Sequence, residues 1–177
     1  MTKTEIIQDA EKIFSRFSQT CSVIDEPVFF NRPDEKWSVA ENVQHIIIST
    51  NMSSLAWYLP RFVVRWMAGK PNRNSRTYDE LKDKYYKKLA DGGRASARFV
   101  PKPIEIKYGK QKLMDNWNKA AAKFINTLTK NRTEDDLDNY LVKHPLLGRI
   151  TLRELGYFTI FHTEHHLHTI EKLTKTT

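Results

Sequence analysis

The chain has 177 residues, with 29 Lys and Arg against 21 Asp and Glu and a formal net charge of +8 at neutral pH. That length fits one domain over residues 1–177, and 40% hydrophobic with 28% charged residues describes a globular chain, not a disordered one. A lone Cys21 excludes a disulfide framework and a cysteine-based zinc finger and suits a reducing compartment, so a cytoplasmic location is expected.

The opening MTKTEIIQDAEKIF carries acidic residues and no apolar block, unlike a signal peptide. A first helix is expected over Thr2–Val23, opened by the capping box Thr2–Glu5. Ile6, Ala10, Ile13, Phe14, Phe17 and Cys21 recur there at three- and four-residue spacings, so Cys21 reads as a small hydrophobe and not as a nucleophile.

A second helix starts at Ser38, where Ser38 and Glu41 form a capping box directly after Trp37. It is expected to continue to Met67, to bend at Pro60 and to stop at Gly69 and Pro71. The 19 uncharged residues between Glu41 and Arg61 are about a bilayer's worth of helix. Eight of them are polar, among them Asn42, His45, Ser49 and Ser53, which excludes a membrane span.

A short helix follows from Tyr78 to Leu89, with Thr77–Glu80 as its capping box and Gly92-Gly93 as its stop. The connection Asp91–Gly109 is rich in Gly and Pro and too long for a plain link. It is a candidate lid in which Arg94, Arg98 and Lys102 meet an anionic cosubstrate, with brief extended segments at Phe99–Val100 or Ile104–Ile106. Asp25–Trp37 is the other long crossing. A long helix over Lys110–Lys130 carries Leu113, Trp117, Ala121, Phe124 and Leu128 on one stripe, and the last helix runs from Leu152 to Leu173 behind the capping box Thr151–Glu154. Four long amphipathic helices with long crossover loops and short extra helices define an all-α four-helix bundle.

Four of the six histidines fall in the run FHTEHHLHTI of the last helix. At ~100° per residue, His162 and His166 stand one turn apart in the middle of the apolar face. His165 lies on its flank, while His168 and Glu164 point towards water. Two imidazoles at i and i+4 reach one ion, and a bundle core supplies further ligands from a facing helix. His45 is the candidate, with Ile48, Met52 and Ala56 on its expected inward face. His144, before Pro145, is assigned a structural or surface role in the loop that leads to the last helix. On periodicity alone, packing histidines and a metal site both remain open.

The segments WSVAENVQHI (Trp37–Ile46) and HPLLGRITLRELGYFTIFHTEHHLHTIEKL (His144–Leu173) resemble the DinB-like superfamily. There a Trp-Ser cap opens a helix with a His two turns on, and a His-Pro…Gly…Thr lead-in precedes a helix bearing His-x-x-x-His. The resemblance implies a four-helix bundle, often a homodimer, with a three-histidine metal site that maps onto His45, His162 and His166. Zinc or nickel is expected foremost, with iron and manganese also suited to three imidazoles. Relatives of this kind include metal-dependent thiol S-transferases, so a low-molecular-weight thiol is an implied cosubstrate.

The leading expectation is therefore a metal-dependent thiol S-transferase or hydrolase acting on a small molecule, with no general base identifiable and Glu41 read as a cap. Two alternatives stand beside it. One is a bundle that a metal merely staples. The other is a polyanion- or nucleic-acid-binding module, prompted by 18 basic against 6 acidic residues between Arg61 and Lys130. No helix-turn-helix, zinc-finger or RNA-recognition signature supports that last reading.

Overall fold

The computed structural model describes residues 1–33 and 36–175. Its elements in chain order are α1 (Lys3–Ser22), α2 (Glu26–Phe30), α3 (Val39–Tyr58), α4 (Arg61–Ala68), α5 (Tyr78–Ala90), α6 (Lys110–Asn131), α7 (Glu134–Asn139), β1 (Leu141–His144), β2 (Gly148–Thr151) and α8 (Leu152–Lys175). The long helices α1, α3, α6 and α8 form the four-helix bundle, with α3 packed on α6 and α8 and α1 on the same two. Among the described residues no helix is long and apolar enough to cross a membrane.

All four expected capping boxes are present, at Thr2–Glu5, Ser38–Glu41, Thr77–Glu80 and Thr151–Glu154. A fifth, Thr133–Asp136, opens α7; its acid is Asp, one carbon shorter than the Glu of the usual pattern. The apolar stripe of α1 is buried as its spacing predicts, Cys21 included, and burial pushes the Cys21 thiol up to about 12. In the bundle core Trp117 meets Phe14 edge-on at 5.2 Å between ring centroids, and Phe14 meets Phe124 at 5.6 Å. The indole of Trp117 donates to Ser18 Oγ at 2.8 Å, so this buried ring leaves no donor unpaired. Gly156 admits α1 against α8: a Cβ there would lie 2.9 Å from Ile6 Cγ2.

Three features depart from the sequence-based expectation. The helix that starts at Ser38 does not bend at Pro60 but ends at Tyr58. Leu59 and Pro60 are both extended, with ψ of 141° and 144°, as the ring of Pro60 requires of the residue before it. The buried Arg132 receives the freed end, donating through Nη2 to the carbonyls of Ala56 and Leu59.

Phe99 and Ile106 belong to 3-10 turns, Ala97–Phe99 and Ile106–Tyr108, and neither Phe99–Val100 nor Ile104–Ile106 pairs as a strand. The lead-in to the last helix is instead an antiparallel hairpin, with Leu141 opposite Thr151 and His144 opposite Gly148. Its turn closes on Gly148, whose φ of +76° falls in the left-handed region open to glycine. The backbone N–H groups of Leu146 and Leu147 both donate to His144 Nδ1, at 3.2 and 3.1 Å. That pairing explains the residues HPLLG as a turn whose first side chain binds its own backbone.

Candidate metal centre

The structure brings His45 of α3 together with His162 and His166 of α8, all three buried. One ring nitrogen from each lies within 4.8 Å of the others. The i, i+4 pair of α8 faces α3 because both helices bury these positions. His165 lies half-buried on the flank and His168 is exposed, as the helical spacing predicts. Glu164 is half-buried rather than free in water, paired with Lys82 at 2.9 Å.

The inward face of α3 differs from the expected one. Met52 is 40% exposed, and the buried neighbours of His45 are Asn42, Ser49 and Ser53. Several of the polar residues that argue against a membrane span are thus turned into the bundle, where Asn42, His45, Ser49, Ser53 and Ser54 find hydrogen-bond partners. Ser53 Oγ receives the hydroxyl of Thr159 at 3.0 Å, and Ser54 donates to Thr50 O at 2.8 Å.

These polar residues set the tautomers of the cluster. His45 Nδ1 lies 2.7 Å from the carbonyl oxygen of Phe99, which only accepts, so Nδ1 carries the proton and Nε2 the lone pair. Asn42 donates through Nδ2 to Ser38 O at 2.8 Å, which turns its Oδ1 towards His166 Nδ1, 2.7 Å away. His166 therefore also keeps its proton on Nδ1 and frees Nε2. Ser49 Oγ sits 3.3 Å from His162 Nδ1, and a hydroxyl serves either tautomer by rotating. Nε2 of His45 and Nε2 of His162 are 3.1 Å apart. Two ligands on one ion at ~2.0–2.1 Å stand about 3 to 3.4 Å from each other, so the spacing fits a shared cation.

Electrostatics favour the neutral, ligand-competent rings. Burial, then the neighbouring imidazoles, hold His162 and His166 well below the usual histidine range. Burial also lowers His45, against the opposing hydrogen bond to Phe99. Aromatic faces enclose the rings: Phe158 stacks on His162 at 4.6 Å, and Trp37 lies 5.0 Å from His45 and 6.2 Å from His166.

The cluster forms the end of a cavity of about 580 Å³. Its walls come from α3, α4, α5, α8, the 141–146 hairpin residues and the loop 93–99. Arg94 and Arg98 line it, as the lid reading expects; Lys102 does not, and Lys143 of β1 takes the third cationic place. His144 lines it too, 4.2 Å from the Phe158 ring, and burial together with Arg98 lowers its imidazole to about 4. Its place in the cavity is beyond sequence reasoning, because the hairpin that carries it is set by a turn and not by a periodic face. Glu41 is a buried cap, bound to Ser38 N at 2.7 Å and approached by Arg32 at 3.6 Å, and not a wall of the cavity.

A helical bundle that buries three convergent imidazoles beside a ligand-sized cavity offers a place where a divalent cation could be held. The sequence matches the DinB superfamily over residues 10–170, and the chain belongs to that family. Among solved structures it is similar to YfiT from Bacillus subtilis, described as a probable metal-dependent hydrolase with an unusual four-helix bundle topology. The two share 17% identity with a TM-score of 0.60, over 98% of this chain and 86% of that one. A search of curated proteins finds no match.

Proposed function

We propose that the protein is a metal-dependent enzyme of the hydrolase type that acts on a small molecule, with His45, His162 and His166 as its metal ligands. The observation that carries this is the hydrogen bonding behind the rings: Phe99 O and Asn42 Oδ1 each fix a proton on Nδ1 and leave Nε2 free towards the shared centre. A divalent ion held by His45, His162 and His166 would supply Lewis acidity for activating a nucleophile or an electrophile. Three imidazoles are one ligand fewer than the four that structural zinc sites use. The chain's own part is to orient the rings, to exclude bulk water behind Trp37 and Phe158, and to hold the substrate in the cavity.

A thiol S-transferase is the second reading, and one observation favours it. Among the described residues no Asp or Glu lines the cavity, so no carboxylate stands ready as a general base. A thiol, with an ordinary pKa of ~8.5, needs far less help to become a nucleophile than water does. The polyanion-binding alternative is weakened by internal pairing: Arg61 engages Asp136, Arg73 and Arg76 engage Glu154, and Lys82 engages Glu164. A homodimer, implied by the family resemblance, is tested by light scattering of the purified protein.

The decisive experiment measures metal content by elemental mass spectrometry in protein purified without chelator, alongside His45→Ala and His162→Ala. Near-stoichiometric zinc or nickel in the wild type and its loss in both variants supports the reading. A wild type that holds no metal and takes up neither added ion overturns it. Turnover of ester and amide panels, with and without a low-molecular-weight thiol, then separates hydrolase from transferase.

A further inference from the structure

The cavity carries an uncompensated charge. Arg94, Arg98 and Lys143 line its rim, and among the described residues none of the three pairs with a carboxylate; Arg98 rests only against the ring of Phe99, at 4.8 Å. Arg73, Arg76 and Lys82, by contrast, are held by Glu154 and Glu164. His144 adds a neutral donor at the same rim. Its Nδ1 accepts from the turn, so its proton sits on Nε2. Ser96, in the same loop, has a buried Oγ with no hydrogen-bond partner among the described residues. Groups that donate or attract anions thus share one rim, and among the described residues that rim has no carboxylate of its own.

The remainder of the cavity is apolar. Met52, Leu55 and Leu59 of the α3 end, Val64 of α4, Leu141 of β1 and Leu155 of α8 form its walls. An inorganic anion or a sugar phosphate would leave that surface wet, whereas an alkyl or aryl chain would cover it. Two arginines with planar guanidinium forks can pair bidentately with a carboxylate.

We propose that the cavity binds an amphipathic monoanion, an alkyl or aryl chain ending in a carboxylate, with the carboxylate held by Arg94 and Arg98 and the chain lying along the α3–α4 wall. This rests on the reading of the cavity as the substrate site and names its substrate class. It also gives the 93–99 loop a part in binding, since the loop carries both arginines and touches His45 through Phe99 O.

The test is calorimetric titration of chelator-stripped protein with decanoate and with decanol, its neutral counterpart, so that no ion contributes to binding. Decanoate is expected to bind at least tenfold more tightly than decanol. In Arg94→Ala/Arg98→Ala the preference should shrink towards unity while decanol binding stays as in the wild type. Equal binding of the two ligands by the wild type overturns the proposal, as does a preference that survives in Arg94→Ala/Arg98→Ala. Because the stripped protein is used, failure to bind metal would remove the proposed function and leave this result standing on its own.

Discussion

The backbone carbonyl of Phe99 accepts a hydrogen bond from His45 Nδ1 at 2.7 Å, tying a loop between α5 and α6 to the buried cluster on α3. Because this partner is main chain, no side-chain substitution at Phe99 removes it directly. A cation on Nε2 makes the Nδ1–H a stronger donor. Metal binding is therefore expected to hold the 93–99 loop down. Trypsin cleavage after Arg94 and Arg98 should slow several-fold with saturating zinc, followed by mass spectrometry of the fragments. In His45→Ala the slowing should vanish. Equal cleavage of wild type with and without zinc would break the link between loop and cluster.

Asn42 plays the matching part for His166, at 2.7 Å, while its own amide is pinned by Ser38 O. In Asn42→Ala the imidazole loses the partner that fixes its tautomer and its direction. Metal affinity is expected to fall by about 10- to 100-fold, the usual cost of losing such an outer partner. Competition against a chromophoric chelator reads this directly. An unchanged affinity would mean that packing against Trp37 alone orients His166.

Much of this centre is legible in the sequence, and the reason is helical geometry. His162 and His166 share a face by their spacing, and Ser38–Glu41 fixes where α3 begins, hence which turn His45 occupies. The Asn42 and Ser49 contacts are not legible, since hydrophobic periodicity assigns polar residues to the outside and here they point inward. The hairpin at 141–151 escapes for a different reason: four-residue strands around a Pro-Leu-Leu turn show too little alternation to register. Lys102 and Lys143 exchange places for the same cause, because a rim is built by segments far apart in the chain.

Glu154 shows how a distant contact hides behind a local motif. Its capping role is written in Thr151–Glu154, yet its fully buried carboxylate also receives Arg73 through two bonds of 2.7 and 2.8 Å and Arg76 N at 2.7 Å. Burial would raise this carboxyl, but those donors outweigh it and hold the group below the usual 4.5. The stability so gained is present above that ordinary value and is lost as pH falls through the depressed folded value. Glu154→Gln is expected to lose about 2–3 kcal/mol at pH 7 and much less at pH 3, so the two melting curves should converge in acid. Thermal melts of both proteins from pH 3 to 7 check the sign; a gap that widens in acid would contradict it.

Trp37 offers an optical report on the same centre. Its indole lies 5.0 Å from the His45 ring and stacks over His166 at 6.2 Å, whereas Trp57, Trp117 and Trp66 occupy the bundle core and the outer face of α4. An open-shell ion held by the three imidazoles would quench the nearest indole most strongly. Addition of nickel or cobalt to stripped protein is expected to lower tryptophan emission, with a midpoint matching the metal affinity. Trp37→Phe should lose most of that decrease while still binding metal by mass spectrometry. His162→Ala should lose both. Quenching that persists undiminished in Trp37→Phe would put the ion elsewhere in the molecule, and with it the proposed ligand set would fall.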